Sequence, residues 1–196
     1  MYKTIKDIDL KNKIVNLSQM LKKIIYNAIL IIFLVIFQIA FVNSLPAKFN
    51  NLNLILVVLI FILSLVNINY ALAWAIGLGW LMDIFLFAPF GLHLISLFLT
   101  IIFSNLLLTN FFTNRSFYST LALVGLSTII YEFFLNSFNY LIDLFNKGNL
   151  LIITWNFWLD KSSQMVLNLL VVIVFFYFIN FISKKFSPNF LLKYAK

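Results

Sequence analysis

Five polar side chains stand inside stretches of sequence that are otherwise apolar: Gln38, Asp83, His93, Glu132 and Asn168. An acid at the centre of a membrane-spanning helix costs roughly 2.5–3.5 kcal/mol on insertion scales, so each one asks for a function or a partner. Two carboxyls and an imidazole could do acid/base work, hold a metal ion, line a polar cavity or fasten helices together. Catalysis has little support. The five glycines (Gly77, Gly79, Gly91, Gly125, Gly148) form no phosphate-cradling loop, and no serine has a G-x-S-x-G context. His93 is the only histidine and cysteine is absent, so a metal would have to rest on one imidazole and two carboxylates from three helices. The expectation is therefore no catalytic residue, no cofactor and no metal, with the polar groups binding or structural.

The elements that must position these groups follow from composition. Of 196 residues 63% are hydrophobic and 10% charged, against about 45–50% and about 25% in soluble domains. So few charges cannot cover the apolar surface in water, which excludes a soluble domain, a disordered chain and a nucleic-acid binder. The solvent is lipid. The expected fold is all-α, a polytopic bundle of six transmembrane helices, with spans near residues 24–42, 52–66, 70–87, 92–112, 117–136 and 165–183. The first span is long for a cleaved signal core and is read as an uncleaved anchor. Residues 52–87 would reach about 54 Å as one helix, far beyond a core of about 30 Å, so they must fold back at Asn67, Ile68 and Asn69. Pro89 and Gly91 mark the next turn, and Arg115 lies in the one after it. The fifth span can continue as an amphipathic helix to Phe145. Residues 146–164, with Trp155, Trp158, Asp160 and Lys161, read as a segment lying at the headgroup interface. Residues 1–23 form a basic segment with a surface helix (Ile14, Leu17, Leu21 and Ile24 at helical spacing), and residues 184–196 a basic tail.

Eleven cations fall on the side of the termini, namely six N-terminal lysines, Arg115 and four C-terminal lysines, and three (Lys48, Lys147, Lys161) on the other. The positive-inside rule makes both termini cytoplasmic. Asp83 then lies 13 residues into its span, about 20 Å up, and Glu132 15 residues into its own, about 22 Å up. Gln38 reaches the same level, and His93 and Asn168 sit just inside the outer ends of the fourth and sixth spans. No basic residue is expected in this outer layer, so neutral acids donating hydrogen bonds and fixing helix register are favoured over an open ligand cavity. In the third span Ala71, Ala75, Gly79 and Asp83 follow at i, i+4, a small face that lets backbones approach and carries Asp83 into a tight interface. Ser119, Ala122 and Gly125 make a similar stripe below Thr128 and Glu132.

Residues 79–93 read GWLMDIFLFAPFGLH. A G-x-x-x-D run followed by Pro-x-Gly-x-His resembles the signature stretch of MreD, the rod shape-determining membrane protein, in Gly79, Asp83, Pro89, Gly91 and His93. The resemblance implies a non-enzymatic scaffold of the bacterial elongation machinery in the plasma membrane, working in cell shape and lateral peptidoglycan synthesis. Its implied partners are an MreC-like protein, a RodA-like glycosyltransferase, a penicillin-binding transpeptidase and the MreB filament, beside membrane lipid and without nucleic acid. It also implies a bundle like the S-component of energy-coupling-factor transporters. That likeness supplies the alternative, a subunit binding a small vitamin-like molecule for a transporter.

Overall fold

A computed structural model describes the backbone of residues 2–112, 117–146 and 155–185, and the side chains of residues 17–46, 49–112, 117–145 and 157–177. The turn holding Arg115, Lys147 and Gly148, and the tail from residue 186 lie outside the described residues, as do the side chains of residues 1–16. Among the described residues six α-helices carry the fold: α1 (Tyr2–Ile36), α2 (Leu54–Leu65), α3 (Ile68–Phe85), α4 (Leu92–Asn110), α5 (Phe117–Asn146) and α6 (Trp155–Lys185). Among the described residues there is no strand. Five of the helices are long and apolar enough to cross a membrane, so the chain has the build of a polytopic helical membrane protein.

The exception is α2. Its 12 residues rise only about 18 Å, short of a hydrocarbon core of about 30 Å. Ile55, Leu56, Val57, Leu59, Ile60 and Leu63 are all buried, which is what an all-round apolar helix requires at the centre of a bundle. It packs against α3, α4, α5 and α6, while α1 lies against α3. The fold-back expected at residues 67–69 is a tight turn in which the Asn67 side chain accepts the Tyr70 amide at 2.8 Å and so caps α3.

Between α1 and α2 the chain makes a π-helical turn (Phe37–Phe41) and two 3-10 turns (Val42–Ser44 and Ala47–Asn51). We call residues 42–53 the strap. Across the bundle, the Asn27 amide donates to the Tyr70 hydroxyl at 2.8 Å, which levels α1 with α3. From that mark Gln38 stands about 16 Å up α1 and Asp83 about 20 Å up α3. The α2 helix begins at the Gln38 level, and the strap folds over it.

Two boundaries differ from the sequence reading. The segment expected at the interface does not stand apart from the last span: α6 begins at Trp155 and takes in Trp158, Asp160 and Lys161. Those charges argued for a separate element, but Lys161 is drawn into the bundle by an acid described below. The helix α1 likewise runs unbroken from Tyr2 through the region read as a surface helix.

Candidate functional site

Asp83 is buried and sits on α3 one turn above Gly79. Its Oδ2 accepts the Gly91 amide at 2.9 Å and the Leu94 amide at 3.4 Å, and its Oδ1 accepts the His93 amide at 2.8 Å. His93 Nδ1 lies 2.9 Å from the same Oδ1. The first amides of a helix have no intrahelical partner, and in lipid no water replaces one. Gly91, the N-cap of α4, has no side chain to offer and adopts φ +92°, a left-handed conformation that suits glycine. Asp83 therefore caps α4 from the preceding helix, with its carboxyl oxygens at the positive end of the α4 dipole. The one first-turn amide it leaves, that of Leu92, bonds to the Pro89 carbonyl at 3.1 Å.

Close approach makes this reach work. A Cβ at position 79 would stand 2.4 Å from Leu94 Cα and 2.8 Å from its nitrogen. Backbone thus touches backbone at Gly79, and Ala71 and Ala75, both buried, continue the same face. The turn is tied from below as well: the Ala88 amide donates to the Asp83 carbonyl at 3.1 Å and that of Phe87 to the Ile84 carbonyl at 3.3 Å. These bonds hold Phe87 at φ 50°, uncommon for a residue with a side chain. Gly79, Asp83, Pro89, Gly91 and His93 form one helix-turn-helix clasp.

The other polar residues gather around the start of α2. Gln38 is turned inward at the π-helical turn, where its Nε2 donates to the Leu52 carbonyl at 2.8 Å and to Asn43 at 3.0 Å. Its Oε1 accepts the Leu54 amide at 2.9 Å. Asn53, the N-cap, accepts the Leu56 amide at 3.0 Å, while its own amide donates to Asn168 Oδ1 at 3.0 Å. Asn168 completes its valences by donating to the Thr128 hydroxyl at 3.0 Å. The buried Tyr131 hydroxyl lies beside the Asn53 side chain. Gln38, from the π-helical turn after α1, and Asn168 of α6 thus satisfy the amides of Leu54 and Asn53 at the start of α2.

Glu132 forms an ion pair with Lys161 of α6, and Asn136 donates to its Oε2 at 3.3 Å. The expectation that no cation lies at this level is overturned, because Lys161 belongs to α6 rather than to a surface segment. Where the acids were expected to donate hydrogen bonds, both are placed as acceptors: Asp83 receives three backbone amides and Glu132 receives the Asn136 side chain and faces Lys161. The pair is partly exposed, 30% for the lysine side chain and 12% for the acid, so it is worth less than a fully buried pair. Lys161→Met is expected to lower stability by about 1–2 kcal/mol by stranding the acid, with Glu132→Gln added on top restoring most of it. Thermal unfolding in detergent reads both; a single variant as stable as the parent would refute the pairing.

The five predicted residues do not converge on one cavity. Asp83 and His93 join at the α4 start, Gln38 and Asn168 meet around the α2 start, and Glu132 joins α5 to α6. No group of three His, Asp or Glu side chains that could hold a metal occurs among the described residues. Sequence reasoning missed Asn53 and Lys161. Asn53 directly precedes the apolar run of α2, the ordinary place for a cap. Lys161 carried no local signal, because its partner is 29 residues away. Comparison with protein-family models, curated proteins and solved structures finds no match.

Proposed function

We propose that this chain is an MreD-like, non-enzymatic scaffold in the bacterial plasma membrane, serving cell shape and lateral wall synthesis. The observation that carries the reading is the clasp. Four residues of the motif (Gly79, Asp83, Gly91 and His93) are engaged with one another through short hydrogen bonds and backbone contact, while Pro89 accepts the Leu92 amide in the turn between them, an arrangement that fixes shape and leaves Asp83 no free oxygen for a substrate. In this reading α2 is a shortened second span that brings the count to six, the bundle follows the S-component plan, and both termini are cytoplasmic by their lysines. The partners are those of the resemblance: an MreC-like protein, a RodA-like glycosyltransferase, a penicillin-binding transpeptidase and the MreB filament.

Depletion from a rod-shaped host should turn cells round and scatter wall synthesis away from the lateral wall, and the tagged protein should bring down an MreC-like protein from membranes. A host that keeps its shape and its lateral synthesis would overturn the proposal. Strong thermal stabilisation of the purified protein by a vitamin would favour a transporter subunit instead.

A further inference from the structure

Gln38 and Gln164 are buried to nearly the same degree, 4% and 7% exposed, yet their carboxamides fare oppositely. Gln38 spends its own on Asn43, the Leu52 carbonyl and the Leu54 amide. The side chain of Gln164, on α6, makes no hydrogen bond to any described residue. In a bundle solvated by lipid such a group is costly, because hydrocarbon offers it neither donor nor acceptor.

Its neighbours are pinned on both sides. Lys161, three residues earlier, pairs with Glu132 of α5, and Asn168, four residues later, donates to Thr128 of the same helix at 3.0 Å. Residues three and four apart share a helix face, so Gln164 occupies the stretch of α6 between these two cross-links, opposite the single turn of α5 that separates Thr128 from Glu132. Both contacts to the Glu132 carboxyl fall on Oε2, and Asn168 Nδ2 spends one of its two N–H groups on Thr128. Acceptor and donor capacity therefore remain on either side of Gln164. Unlike the Ser64 hydroxyl and the Trp74 indole nitrogen, which are completely enclosed, the Gln164 carboxamide keeps a small opening.

Charge and size select the occupant. Lys161 repels a cation and Glu132 an anion, and so narrow an opening admits only something small. A small neutral molecule that both donates and accepts is water, which makes about three hydrogen bonds when buried. We propose that the seam between α5 and α6 holds an ordered water bound by the Gln164 carboxamide and the Glu132 carboxyl. With this water a polar line runs from the partly exposed Lys161 ammonium through Asn168 to the Asn53 amide at the start of α2. The inference is independent of the scaffold reading, so the depletion experiment and the one below can fail separately.

The chain contains three glutamines, Gln19, Gln38 and Gln164. Glutamine-selective 15N labelling of the full chain in detergent micelles thus gives three carboxamide signals, and either Gln164→Met or Gln164→Asn assigns the one of interest. Nuclear Overhauser transfer from water should reach the Gln164 signal with the sign of a long-lived bound molecule. Gln38, satisfied within the protein, should receive none, and exposed Gln19 only the weak transfer of mobile solvent. In the double variant Lys161→Met, Glu132→Leu, which leaves neither charge without its partner, the transfer to Gln164 should vanish. Gln164→Met should also lower the unfolding temperature by several degrees, because it removes the bonds to water; a dry, unpaired carboxamide would instead make methionine stabilising. No water transfer at Gln164, equal transfer at Gln38, persistence in the double variant, or a higher unfolding temperature for Gln164→Met overturns the proposal.

Discussion

Gly79→Ala, the smallest side chain that can be added, is expected to disrupt the bundle, and Gly79→Leu to prevent its assembly. The new Cβ would meet Leu94 Cα at 2.4 Å and its nitrogen at 2.8 Å, and backbone cannot swing aside as a side chain does. Helices α3 and α4 would have to separate, and Asp83 would lose its reach to the α4 amides in the same movement. Overpacking typically costs 1–3 kcal/mol, and this case belongs at the upper end, at about 3 kcal/mol. Gly77→Ala is the internal control. Its added carbon meets only the Ile31 side chain, tightly at the flexible Cδ1 (3.1 Å) and at ordinary distance from Cγ2 (3.6 Å), so its effect should be small. Folded yield after detergent extraction, with thermal unfolding of whatever survives, separates the two. Equal behaviour at positions 77 and 79 would show that the contact between the helix backbones does not limit packing.

Asp83→Ala is the second change of large effect. It leaves the amides of Gly91, His93 and Leu94 without an acceptor inside the bundle, together with the His93 ring nitrogen. Each stranded buried group costs about 1–3 kcal/mol, reduced by local relaxation, so a total of about 3–5 kcal/mol is expected. Asp83→Asn keeps one acceptor oxygen but turns an NH2 toward a backbone donor, so it should fall between the parent and alanine. Hydrogen–deuterium exchange at residues 91–94 gives the direct reading, with exchange rising most for alanine. Unchanged exchange there would mean that Asp83 does not cap α4.

Much of this fold is legible in sequence because lipid imposes simple rules. Long apolar runs with a polar break must turn, and Asn67 both marks such a break and caps the helix that follows. The i, i+4 spacing of Ala71, Ala75, Gly79 and Asp83 likewise places them on one helix face before any coordinates are known. What composition hides is which groups meet. Asp83 in sequence is an acid at a costly depth; only the turn through Pro89 and Gly91 folds the amides of the next helix onto it. Lys161 illustrates the opposite failure. Hydropathy assigned it to the surface together with Trp158 and Asp160, because a one-dimensional average cannot see an acid on the neighbouring helix offsetting its charge.

That short helix has a consequence for how the chain is made. Twelve residues, eleven of them apolar, are too few to hold a transmembrane position independently, and the tight turn at Asn67 ties them to α3, so the two should leave the insertion machinery as one hairpin. The Leu54 amide can then be met early, by Gln38 on a helix already in place. The Asn53 amide cannot, because its acceptor Asn168 lies on α6, which is synthesised after the five helices before it. Biogenesis would thus run with an open site near the centre of the bundle until α6 arrives, and arrest or truncation of translation before residue 168 would yield a nascent chain marked for quality control.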